Sequence, residues 1–115
     1  MAARPRRTVR GKALRLACWN ADGVWGRKLE LEHFLSQHGV DICLIIETFL
    51  NSGQAFQLAN YVSHRTDRPT AGGGTAILVR RGITHHSVPV PGLTQVEATA
   101  IQIMLAARPV KVLAA

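Results

Sequence analysis

Two polar side chains each close a run of apolar residues. Asn20 ends the stretch LRLACWN, and Glu47 ends the stretch DICLIIE. Asn offers a neutral carbonyl oxygen or an amide donor, and Glu offers a carboxylate. Hard oxygen donors of this kind suit Mg²⁺ (or Mn²⁺), which takes one or two protein carboxylates and fills its remaining positions with water or phosphate. A lone carboxylate supplies little charge, so the metal is expected to bind weakly to this chain. Each residue also has a plainer reading. Asn20 opens Asn-Ala-Asp-Gly, which is good turn chemistry, and Glu47 could pair with an Arg or Lys rather than a metal.

Both residues need strands to hold them. Residues 14–20 read as a buried strand, 27–38 as an amphipathic helix and 41–48 as a second strand that is apolar on both faces. A right-handed β-α-β unit places two such strands in parallel with their carboxyl ends at one edge. Open α/β sheets usually place their sites at that edge. Side-chain alternation groups Leu14, Leu16, Cys18 and Asn20 on one face of the first strand. It groups Cys43, Ile45 and Glu47 on one face of the second. The two residues are therefore expected to face each other. Leu31, Phe34, Leu35 and His38 fall at helical spacing and form the helix's stripe. Gly39 is placed to end the helix, with His38 as a last-turn residue rather than a ligand.

Beyond Thr48 the periodicity changes. A loop at Asn51-Ser52-Gly53 and a helical turn over 54–58 are followed by short strands over 61–65, 75–79, 85–90, 97–105 and 110–114. Gly and Pro lie between them, as in a β-meander. The predicted class is α+β, in one domain over 14–115. Gly72-Gly73-Gly74 is not a P-loop, since no Lys-Ser/Thr and no helix follow. It fits close backbone packing at a strand start. His85 and His86 are strand neighbours that point to opposite faces, so they are not a zinc pair. Glu97 reads as structural. Trp19 is assigned to the core and Trp25 to a loop.

CWNADG followed by DICLIIET resembles the opening of the endonuclease/exonuclease/phosphatase superfamily. HRTDRPTAGGGTAILVRRGI resembles the apurinic-type endonuclease domain at the front of LINE-type (non-LTR) retrotransposon reverse transcriptase proteins. The resemblance spans roughly 14–115. It implies the front half of a four-layer α/β sandwich, a metal-binding role for Glu47, and a role for Asn20 in orienting that site against the scissile phosphate. It implies Mg-dependent phosphodiester hydrolysis, with a Tyr, an Asp-x-Asn and a Ser-Asp-His motif further along. None of those motifs occurs in this sequence. The chain reads as a truncated endonuclease domain, inactive alone, with exposed sheet edges through which it would self-associate.

Charge is unevenly placed. The net charge is +7, and Arg4, Arg6, Arg7, Arg10, Lys12 and Arg15 crowd the first fifteen residues without an acid. The other hundred residues carry eight basic and seven acidic groups. Residues 1–13 read as a disordered basic arm. Such an arm attracts DNA (or RNA) phosphates through counterion release, without sequence preference, or is simply a solvated terminus. The alternative function is accordingly a non-catalytic nucleic-acid-binding module. No apolar run reaches the ~20 residues needed to cross a bilayer, and nothing resembles a secretory signal. The expected setting is intracellular, nuclear or cytoplasmic, without a membrane. Cys18 and Cys43 lie in apolar strands without metal-ligand spacing and read as two buried thiols.

Overall fold

The computed structural model describes residues 13–68, 72–90 and 98–115. Strand β1 (Leu16–Asn20) leads through a 3-10 turn (Trp25–Arg27) into helix α1 (Lys28–His38) and strand β2 (Ile42–Ile46). β1 and β2 are parallel neighbours, with Asn20 opposite Ile46. Gly39 ends the helix in the left-handed region at φ 59, and its N–H bonds the last-turn carbonyls.

The expected meander is only partly present. β3 (Tyr61–Thr66) and β4 (Thr75–Arg80) form an antiparallel pair, but β4 lies between β2 and β3, giving the order β1-β2-β4-β3. Such an insertion leaves no periodicity signal. β5 (His85–Val88), β6 (Thr99–Leu105) and β7 (Arg108–Ala114) form a second, antiparallel three-stranded sheet. Residues 54–58 form no helical turn. The turn between β6 and β7 is Ala106-Ala107, with φ 53 and 65. Two positive φ values define the type I′ hairpin turn, usually made by Asn-Gly, so Ala-Ala gave no signal. Pro109 does not break β7, because the strand lies at a sheet edge where a missing N–H is tolerated.

The layers are helix, four-stranded sheet and three-stranded sheet. Leu31 and Leu35 of α1 pack on Cys43, Ile45, Ala76 and Leu78, with Ala17 and Trp19 at the margin. On the other face Ile42, Ile77 and Val79 meet Ile101, Ile103 and Ala114. Phe34 and His38 leave the expected stripe. Both are exposed and their rings meet at a tilt, with centroids 4.6 Å apart. Cys18 is exposed, contrary to its expected burial. Leu16 (56% exposed), Cys18 and Asn20 share the face of β1 that the second sheet does not reach. Edge strand β1 thus keeps one open face, as a partial sandwich would.

Candidate metal and phosphate site

Parallel pairing brings Asn20 and the β2–Glu47 junction to the same sheet edge, but not by the expected alternation. The register sets Ala17 and Trp19 beside Cys43 and Ile45 on the helix side. Asn20 and Cys18 lie on the opposite face with Ile46 and Leu44. Strand alternation would therefore put Glu47 on the wrong face. Glu47 lies just past the strand with φ 56. A left-handed residue breaks the alternation, so the strand's pleat does not determine where this carboxylate points.

Two loops clamp the Glu47 segment. On one side Gly23 N–H donates to Glu47 O at 2.8 Å and Val24 N–H to Thr48 O at 3.0 Å. On the other, Thr48 N–H donates to Gly74 O at 3.2 Å and Phe49 N–H to Gly73 O at 2.8 Å. Gly74 has φ +93, and a β-carbon there would overlap the Thr48 hydroxyl. The glycine run therefore permits a close backbone approach, as its position at a strand start suggested, and it holds the candidate ligand in place. Glu47 itself is half-buried, and none of the described residues bonds its carboxylate.

The same edge holds further polar groups. Asp22 is exposed with φ 50 and lies next to Gly23, which bonds Glu47. The sequence presented it only as a turn residue. Register aligns Asn20, Ile46, Thr75 and Thr66 across the sheet. From the second sheet Thr99 reaches into this row, with hydroxyl oxygens 2.8 Å from Thr75 and 2.9 Å from Thr66. Thr66 in turn donates to Ala98 O at 2.9 Å. With that proton committed, the hydroxyls run in one direction, Thr75 to Thr99 to Thr66. Asp67 follows Thr66 and is ion-paired to Arg65 at 3.1 Å, while its Oδ1 has no partner among the described residues.

Several other titratable groups are committed elsewhere. The Asp41 carboxylate accepts from Arg15 N–H at 2.8 Å and lies 3.5 Å from Arg80 Nε, at the opposite sheet edge. His85 pairs with His64 rather than with His86, which is exposed. Cys43 is buried, and its thiol is pushed up to about 12, mainly by burial and further by Cys18. Among the described residues no three His, Cys, Asp or Glu side chains gather as a metal cluster. The basic-arm residues Arg4, Arg6, Arg7, Arg10 and Lys12, and Glu97, lie outside the described residues. No helix is long and apolar enough to cross a membrane, among the described residues.

A family model, "Endonuclease/Exonuclease/phosphatase family", matches residues 17–114. The probable RNA-directed DNA polymerase from transposon X-element of Drosophila melanogaster is 35% identical over 75 residues, 63% of this chain and 8% of that protein. The RNA-directed DNA polymerase from mobile element jockey of Drosophila funebris is 31% identical over 99 residues, 84% of this chain and 11% of that protein. Among solved structures, the 3′ phosphatase NExo from Neisseria, bound to a product DNA hairpin, superposes with a TM-score of 0.63 at 18% identity, covering 86% of this chain and 40% of its own. An AP endonuclease from Archaeoglobus fulgidus superposes with a TM-score of 0.57 at 16% identity, covering 83% and 38%. The chain thus spans about a tenth of the mobile-element proteins and two fifths of the solved chains.

Proposed function

The chain belongs to the endonuclease/exonuclease/phosphatase family, and from that premise we propose that it forms the amino-terminal portion of a divalent-metal-dependent endonuclease domain of a retrotransposon-derived protein. The observation that carries this reading is the clamped Glu47 junction beside Asn20 at the carboxyl edge of paired parallel strands.

The donor set fits Mg²⁺ or Mn²⁺. Glu47 offers a carboxylate that none of the described residues bonds, Asp22 an exposed one on the neighbouring loop, and Asn20 a neutral oxygen. Such an ion supplies positive charge against the phosphodiester as negative charge builds on it. Glu47 would hold the ion, with Asp22 as the second carboxylate. The Asn20 amide would donate to a non-bridging phosphate oxygen. The two glycine-bearing loops fix the Glu47 backbone, so little reorganisation is needed on binding.

Water activation needs a free base held beside the phosphate, and several half-buried candidates among the described residues are engaged. His64 and His85 bond each other, and Asp41 and Asp67 pair with arginines. We therefore place the general base outside these 115 residues, and the chain alone binds metal weakly without cleaving DNA. A second reading, a nucleic-acid-binding module acting through Arg4, Arg6, Arg7, Arg10 and Lys12, rests on the concentration of charge at the amino terminus. Incubating supercoiled plasmid with the chain and Mg²⁺ tests the proposal. The plasmid should stay supercoiled. Nicking that disappears in Glu47→Ala would show that the chemistry is complete within the chain.

A further inference from the structure

Away from the Glu47 edge, two imidazoles join the two sheets. His64 lies on β3, at the edge of the four-stranded sheet, and His85 on β5, at the edge of the other. Their Nε2 atoms are 2.8 Å apart and their rings meet edge-on, with centroids 4.9 Å apart. His85 Nδ1 lies 2.8 Å from the Ile83 carbonyl. A carbonyl only accepts, so Nδ1 carries the His85 proton, and the neutral ring turns its Nε2 lone pair toward His64.

We propose that His64 and His85 form a chelating site for a borderline divalent cation, with Zn²⁺ as the representative ion, that clips the two sheets together. Two imidazole nitrogens suit Zn²⁺, Ni²⁺ or Cu²⁺ and not Mg²⁺. The anchoring of His85 Nδ1–H on a backbone carbonyl is the arrangement that fixes ring and tautomer in histidine metal ligands. Two Zn–N bonds of ~2.0–2.1 Å at a tetrahedral angle hold the nitrogens about 3.3 Å apart, against 2.8 Å here. The rings need to separate by about half an ångström and to turn so that both Nε2 lone pairs meet at the ion. Binding requires His64 to carry its proton on Nδ1 in place of Nε2. No net proton is lost from the neutral pair, and nothing is oxidised. Both rings are half-buried, and a groove of about 410 Å³ along β3 and β5, lined by His64, Thr66, Ser87 and Val88, opens His64 to solvent. No third His, Cys, Asp or Glu joins the pair among the described residues, so water completes the shell and the ion exchanges readily.

Calorimetric titration of the untagged full chain with Zn²⁺, in excess Mg²⁺ to occupy oxygen sites, tests this. We expect one site whose affinity falls at least about tenfold in His64→Gln and in His85→Gln, and is unchanged in His86→Gln. Imidazole nitrogen NMR on the unaltered chain supplies a readout that does not depend on the variants folding. Saturating Zn²⁺ should shift His64 and His85 Nε2 and leave His33, His38 and His86 in place. Absence of binding, or shifts confined to His33, His38 or His86, overturns the proposal.

Discussion

Thr48 and Gly74 hold each other at a distance that only glycine allows. Thr48 N–H donates to Gly74 O at 3.2 Å, and the Gly74 α-carbon faces the Thr48 hydroxyl so closely that a β-carbon would overlap it. Thr48 is fully buried directly after Glu47. A disturbance at Gly74 therefore passes straight to the candidate metal ligand. Gly74→Ala should lose roughly 1–3 kcal/mol of stability from the positive φ together with the overlap. Gly82→Ala is the control, since Gly82 has a similar φ of +100 with open space around it. Urea unfolding of both variants separates the two effects: Gly74→Ala should be the more destabilised, and it should also weaken metal binding.

The threonine row across the sheets gives a second expectation. Thr99 is buried and links Thr75 to Thr66. Thr99→Val keeps the shape but removes the acceptor of the Thr75 hydroxyl, while Thr66 keeps its bond to Ala98 O, at a cost of about 1–3 kcal/mol. The same measurement on Thr84→Val, an exposed site, should show little change.

Which parts of this arrangement were legible in the sequence follows from where the information lies. The β-α-β start is local. Apolar runs, a helical spacing and Gly39 specify it within a few residues of each other, and the structure follows them in its elements, although only Leu31 and Leu35 of the stripe are buried. The order β1-β2-β4-β3 depends on a long-range choice of neighbour that no window contains. The Ala106-Ala107 turn carries positive φ on residues that give no turn signal. Glu47 was identifiable as a polar residue ending an apolar strand. Alternation predicts that it faces Asn20, and the left-handed backbone at Glu47 interrupts that alternation. Asp22 was hidden because Asn-Ala-Asp-Gly is sufficient as a turn without a site. The His64–His85 pair joins residues from different sheets, and periodicity cannot show that.

The histidine pair predicts a pH dependence. The pKa of His64 is lowered, first by burial and then by the neighbouring His85. A base whose folded value lies below its unfolded value of about 6.5 binds fewer protons when folded. Its contribution to stability is therefore present above pH 6.5 and is lost as pH falls through the folded value. Unfolding midpoints should drop on acidification through this range. The drop should be shallower in His64→Gln, measured by circular dichroism in metal-free buffer.

Nucleic-acid affinity should come from the arm. The Arg15 guanidinium donates to His38 O at 2.9 Å, which ties it to the folded domain and leaves Arg4, Arg6, Arg7, Arg10 and Lys12. Five cations that each neutralise a phosphate give a log–log salt slope of about −4.5 on duplex DNA. Fluorescence anisotropy over a salt series reads this slope. A chain beginning at Leu14 should bind much more weakly. Equal binding by that shortened chain would remove the arm from the account.

The central claim is that Glu47 and Asn20 share one divalent-cation site, and Mn²⁺ tests it most directly. Paramagnetic broadening in amide NMR spectra reports which groups lie near the ion. Substoichiometric Mn²⁺ should first broaden the Asn20 side-chain amide and the backbone amides of Asp22, Gly23, Glu47 and Thr48. Excess Mg²⁺ should reverse the effect, and Glu47→Gln should abolish it. Broadening centred elsewhere, or unchanged in Glu47→Gln, would contradict the claim.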